Sequence, residues 1–209
     1  MPDGKNRSSG RGKLVVEQYY IIRPAGDDGD CALYDTPEDL ENFHLPARGK
    51  PFGDDIPERL EFHMAAEEPG FNVPDLVWNA FNYLIVSDAF KKILEDNLRH
   101  QQVEFIPCSI INHKGRVAVD NYFVVNIIGA LDCVDMANTN ATPGMRKGQI
   151  NIIKKLNIFP EKIPAEIDIF RIKERPGLML VSHNLKEKIE KNSLSGVEFF
   201  NLNEDVYID

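Results

Sequence analysis

Three observations predict an α+β fold, with a mainly antiparallel or mixed sheet and a few short helices. Runs of β-branched and aromatic residues recur along the chain, the strongest over Val117–Leu131. Two short amphipathic stretches, 88–98 and 183–192, each follow a serine able to cap a helix, Ser87 and Ser182. Glycine and proline crowd the segments between, most densely at 24–57. The 209 residues, 43% hydrophobic and 27% charged, suit a soluble globular chain that can bury a core without a disulfide or metal staple.

In chain order, residues 1–13 are rich in Gly, Ser and basic residues, with no hydrophobe between Met1 and Leu14, and read as a flexible basic tail. LVVEQYYII at 14–22 is a strand, and 24–57 is loop-rich with a short helix at 37–42. RLEFHM at 59–64 puts Leu60, Phe62 and Met64 on one face of a half-buried strand. The apolar segment Phe71–Ser87, which holds the only tryptophan, Trp78, reads as a short helix leading into a strand, YLIV, at 83–86. Ser87 caps the next helix, whose Phe90, Ile93, Leu94 and Leu98 form one stripe and whose first turn carries Asp88. Val103–Ile111 is a strand in which Pro107 predicts an edge or a bulge. Val117–Leu131 lacks clean alternation in its core, the pattern of a strand buried on both faces. A second long loop at 138–148 precedes strands at 150–158, 167–172 and 178–181. The second Ser-capped helix and a last strand at 197–202 close the chain.

A weak internal repeat runs through this order. YLIVSDAFKKILEDN with a following VEF, at 83–105, parallels LMLVSHNLKEKIEKN with its VEF, at 178–199. Ser87 matches Ser182, Lys91 matches Lys186, Glu95 matches Glu190 and Asn97 matches Asn192. The residues 14–209 are expected to form one α+β domain. The repeated strand–helix–strand units are either two subdomains, with a break near 138–148, or parts of one sheet.

The net charge of −9 is unevenly spread. Residues 26–70 hold 13 acids against Arg48, Lys50 and Arg59. Such a stretch repels phosphate backbones and attracts basic partners, or serves simply as a solvated face. Direct nucleic-acid binding is not expected. The longest run without Asp, Glu, Lys or Arg is the 12 residues Leu76–Ser87. A membrane span needs about 20, so none is expected. The start lacks the apolar core of a signal peptide, and three scattered cysteines make no disulfide framework, so a reduced, cytoplasmic protein is expected.

Catalytic patterns are sparse. No glycine-rich phosphate loop follows a strand, and neither a GxSxG elbow nor an HExxH helix occurs. Cys108, His113 and Cys133 lack the paired spacing of a zinc site, so no metal or other cofactor is expected. Asp132 and Asp135 could act as an acid–base pair after the long strand, but carboxylates there more often cap a turn.

The segments YYII, PDLVWNAFNYLIVSDAFKKILED, VEFIPCSI, YFVVNIIGALDCVD and DIFRIKE, closing with LMLVSHNLKEKIEK and GVEFF, resemble the immunity proteins numbered eleven in the bacterial polymorphic-toxin classification. The resemblance covers about residues 14–203. It implies a non-catalytic antidote that binds a cognate toxin encoded by a neighbouring gene, and it carries no site residues across. The acidity of residues 26–70 fits a nuclease or other basic toxin domain whose active or substrate-binding surface is occluded. The expected contacts are Asp27, Asp28, Asp30, Asp54, Asp55, Glu67 and Glu68, with Tyr34, Phe43 and Phe52 as aromatic anchors. The alternatives are an enzyme with a cryptic site near Asp132 and Asp135 and a general interaction adaptor. Oligomeric state is left open.

Overall fold

The computed structural model describes residues 18–37, 40, 42–53 and 57–202. The expected basic tail, part of the short helix expected at 37–42, and Asp54 and Asp55 lie outside them. The strands are β1 (Tyr19–Pro24), β2 (Ala32–Leu33), β3 (Leu60–His63), β4 (Leu76–Asn79), β5 (Leu84–Ser87), β6 (Val103–Ile111), β7 (Val117–Ile127), β8 (Asn140–Pro143), β9 (Ile150–Lys155), β10 (Ile169–Ile172), β11 (Arg175–Ser182) and β12 (Val197–Asn201). The helices are α1 (Asp88–Asn97) and α2 (His183–Lys191), so the α+β expectation holds.

Two larger sheets carry the fold, with strand orders β10-β11-β1-β12 and β2-β4-β5-β7-β6-β3. Pairing is antiparallel except at the two outer pairs of the larger sheet, β2 with β4 and β3 with β6. The chain just beyond β3 returns to β2 at the opposite edge of that sheet, where Ala65 N–H donates to Ala32 O at 2.8 Å. The sequence repeat is therefore topological. The order β4-β5-β7-β6 recurs as β10-β11-β1-β12, with a helix leaving the second strand of each set. In the second set the chain's first strand, β1, fills the place that β7 fills in the first.

Both helices start by one device. Ser87 Oγ accepts from Phe90 N at 3.2 Å and donates to Asp75 Oδ1 at 2.5 Å. Ser182 Oγ accepts from Leu185 N at 3.1 Å and donates to Asp168 Oδ1. The main-chain N–H of each serine donates to the carbonyl of the same aspartate, at 2.9 and 2.8 Å. Lys91 lies over Phe105 and Phe123, and Lys186 over Phe199 and Tyr20, rings on equivalent strands of the two sets. The two helices touch, and Lys188 Nζ donates to Asn97 Oδ1.

Strict alternation along the central strands builds three cores. Tyr20, Ile22, Val86, Val125, Met179 and Val181 turn inward with Phe90, Leu94, Leu185 and Ile189 of the helices. Their neighbours Ile85 and Val124 face a second core with Phe62 and Ile110, and Ile21 and Leu180 face a third with Ile153 and Leu156. Arg171, 1% exposed, threads between the layers and donates to the carbonyls of Ile127 at 3.1 Å, Pro176 at 2.7 Å and Ala47 at 3.4 Å. It ties the 3₁₀ turn Pro46–Arg48 to both sheets.

Three expectations change, and the one for Pro107 holds. Residues 76–79 are a strand rather than part of a helix. Asn79 closes the following turn, with Oδ1 accepting from Tyr83 N and Nδ2 donating to Tyr83 O, both at 2.8 Å. That local bonding favours a hairpin over a helix. The loop expected at 138–148 contains β8, a largely exposed strand whose polar residues carry no apolar alternation. β7 is buried on both faces only in its second half, with 117–121 largely exposed. β6 is interior in the sheet, yet β3 flanks only residues 108–111, so Pro107 meets an uncovered side and a register shift follows at Cys108/Ile110.

Candidate functional site

The loop after β1 is fastened to a segment forty residues further on. Asp30 N–H donates to Asp27 O at 3.0 Å, closing a turn through Gly29 at φ +91°. Gly29 O accepts from both Phe71 N and Asn72 N at 3.0 Å, and Cys31 N–H donates to Asn72 O at 2.9 Å. The two segments meet so closely at Gly70 that no larger residue fits: a Cβ there would lie 1.9 Å from Asp30 O. These bonds bring the start and the end of the acidic stretch together.

The result is an open cleft of about 430 Å³, lined by Asp27, Asp28, Asp30, Glu68, Tyr34 and Trp78 among others. Tyr34 Oη donates to Glu68 Oε1 at 2.9 Å, and its ring meets Trp78 edge-on at 5.6 Å. The bond to Glu68 raises the phenol above its ordinary range, and the charge of Glu67 adds to it. Burial, and then the charge of Asp27, pushes the Asp30 carboxyl up. Four carboxylates and no Lys or Arg line the cleft among the described residues. An incoming cation relieves that crowding, and the aromatic faces can hold it.

Of the ten residues expected to contact a partner, Asp27, Asp28, Asp30, Tyr34 and Glu68 share this cleft. Glu67 is exposed beside it. Phe43, 44% exposed, lies outside the lining, and its carbonyl accepts the Tyr83 hydroxyl. Phe52 is corrected: at 4% exposed it belongs to the core, packed edge-on to Tyr83 at 6.2 Å, with its N–H on Glu104 Oε2 at 3.2 Å. Its proline- and glycine-flanked position suggested a surface loop, but the carbonyl of Lys50 is held by Asn126 Nδ2 at 2.8 Å, which folds the segment inward. Trp78, which lines the cleft, was not among the expected contacts. Its signal was available, since it is the sole tryptophan and tryptophan favours interface centres. Phe71, 58% exposed, stacks edge-on against His113 at 4.9 Å beside the same segment.

The other chemistry-bearing groups are occupied locally. Asp132 pairs with Lys173 at 2.7 Å, which holds its carboxyl below the usual range. Asp135 closes a turn, accepting from Ala137 N at 3.1 Å and Asn138 Nδ2 at 2.7 Å. Cys31 and Cys133 are buried thiols pushed up to about 11, and Cys108 to about 12, far from the thiolate a nucleophile needs. Among the described residues no group of three His, Cys, Asp or Glu is placed to hold a metal ion. No described helix is long and apolar enough to cross a membrane.

No curated protein matches this chain. The model of the immunity protein family Imm11 matches residues 6–204, nearly the whole of its 209 residues. The chain belongs to that immunity protein family.

Proposed function

We propose that this protein protects its producer by binding a cognate toxin, encoded by a neighbouring gene, in the cytoplasm, and that the acidic cleft receives a basic surface of that toxin. A nuclease fits this description, because it must be basic to hold a phosphate backbone. Carboxylates in the cleft take the places that phosphates would take, which blocks the substrate-binding surface without any catalytic step by the antidote. The observation that carries the reading is the convergence of Asp27, Asp28, Asp30 and Glu68 around Tyr34 and Trp78 in one concavity. Interfaces that hold tightly combine such aromatic anchors with complementary charge.

The test is co-expression with the toxin domain of the adjacent gene, followed by association kinetics with a catalytically inactivated form of that domain. Rescue of growth and a one-to-one complex are expected. Replacing Asp27, Asp28 and Asp30 by Lys should slow association about tenfold or more at low salt and flatten its salt dependence. An unchanged on-rate with unchanged salt dependence removes the cleft from the interface.

A further inference from the structure

Trp78 walls a second cleft. Where β1 and β11 approach the β4–β5 turn lies a concavity of about 400 Å³ lined by Arg23, Arg175, Asn82, Tyr83 and Met179 together with Trp78. Its charge is opposite to that of the first. Two arginines and no carboxylate line it among the described residues, in a chain of net charge −9. Arg175 is oriented by a bond from Nη1 to Asn151 O. Arg23, half-buried on β1, faces Glu198 across the β1–β12 ladder, and Glu198 is not part of the cleft lining. The two clefts therefore share Trp78 and carry opposite signs.

From this juxtaposition we infer that the toxin-contacting surface is bipolar and centred on Trp78: the partner inserts a basic side chain beside Asp27, Asp30 and Glu68, and a carboxylate beside Arg23 and Arg175. The inference rests on the toxin-binding reading and adds to it a second contact, of opposite charge, contributed by the other sheet. Tryptophan and arginine are the residue types that dominate interface centres, and an arginine fork matches a carboxylate bidentately. The arrangement also confers specificity. A partner that is merely basic satisfies the acidic cleft but sets its own positive charge against Arg23 and Arg175.

The sign of one substitution separates the two ideas. Arg23→Glu makes the protein more acidic. If the partner surface is uniformly basic, that change leaves association with the inactivated toxin domain unchanged or faster and the complex no weaker. If a carboxylate docks at Arg23, the complex weakens about tenfold or more, through faster dissociation. Arg23→Gln, which keeps the bulk and spares the like-charge pairing with Glu198, should weaken it in the same direction by a smaller factor. Lys92→Glu, the same charge change on the exposed face of α1, serves as the control and should leave dissociation unchanged. Binding by Arg23→Glu and Arg23→Gln as tight as wild type overturns the bipolar surface, while loss of binding on reversal of Asp27, Asp28 and Asp30 keeps the toxin reading. Insensitivity to all of these removes both.

Discussion

A Cβ at Gly70 would sit 1.9 Å from the carbonyl oxygen of Asp30, closer than any side chain can approach a backbone. The acidic cleft exists because that position has no side chain. Gly70→Ala must push the Asp27–Cys31 turn away from the Phe71–Asn72 segment. We expect a loss of stability of about 1–3 kcal/mol, typical of overpacking, together with weakened toxin binding. Denaturant unfolding and equilibrium binding measure the two effects separately. A variant with wild-type stability and affinity would show that the close approach is dispensable.

Trp78 and Phe52 should separate affinity from stability. Trp78→Ala removes the wall shared by both clefts and is expected to weaken the toxin complex by about 2 kcal/mol or more. Phe52→Ala leaves a cavity in the core and is expected to cost about 3–5 kcal/mol of folding free energy, with affinity preserved in whatever fraction stays folded. The reverse pattern, with Phe52→Ala failing in affinity alone, would return Phe52 to the interface.

Asp75 should make folding sensitive to acid. Burial raises its carboxyl, but bonds from Ser87 and Ser195 outweigh that and hold it below its ordinary 3.8. A carboxyl lowered on folding stabilises the folded state above its unfolded value. That contribution disappears as pH falls from about 3.8 through the lower folded value. Asp75→Asn should lower the melting temperature near neutral pH and narrow the gap to wild type below that window. Melting curves across pH 2–7 would show it, and a constant gap would count against the carboxylate's role.

Glu174 should act in the opposite sense. It is 8% exposed, and its Oε2 is buried without a hydrogen-bond partner. Burial pushes its carboxyl up from 4.5, so ionised Glu174 costs stability at neutral pH, and that cost is relieved as pH falls through the raised value. Glu174→Gln is expected to raise the melting temperature at pH 7, by an amount that shrinks on acidification. A lower melting temperature at pH 7 would mean that the charge has a partner role.

The helices were legible because their signals are local. Ser87 and Ser182 are capping residues followed by apolar stripes, and both cap as their sequence implies. The alternation of Leu60 and Phe62 likewise named the buried face of β3. Trp78 was misplaced because an apolar run carries no period that separates strand from helix, and the deciding bond, Asn79 to Tyr83, is a side-chain closure. The acidic cleft was half legible. Charge density named Asp27, Asp28, Asp30 and Glu68, but the pairing of Asp30 with Asn72 that assembles them spans forty residues. Nothing in the linear pattern announced Arg23 and Arg175 as neighbours of Trp78, because they come from the other sheet.

The permuted repeat has a consequence for the nascent chain. β1 is made before the other described strands, yet its two partners, β11 and β12, follow every strand of the larger sheet. Tyr20 waits for Val181 and Asn201, so β1 lacks these partners until β11 and β12 are made, while the β4–β7 set can close earlier. The arginine-lined cleft beside Trp78 is built from β1 and β11, so it forms only once β11 has been made. Protection would then lag behind synthesis, and a truncated antidote, however well its first sheet folds, would present the acidic cleft alone.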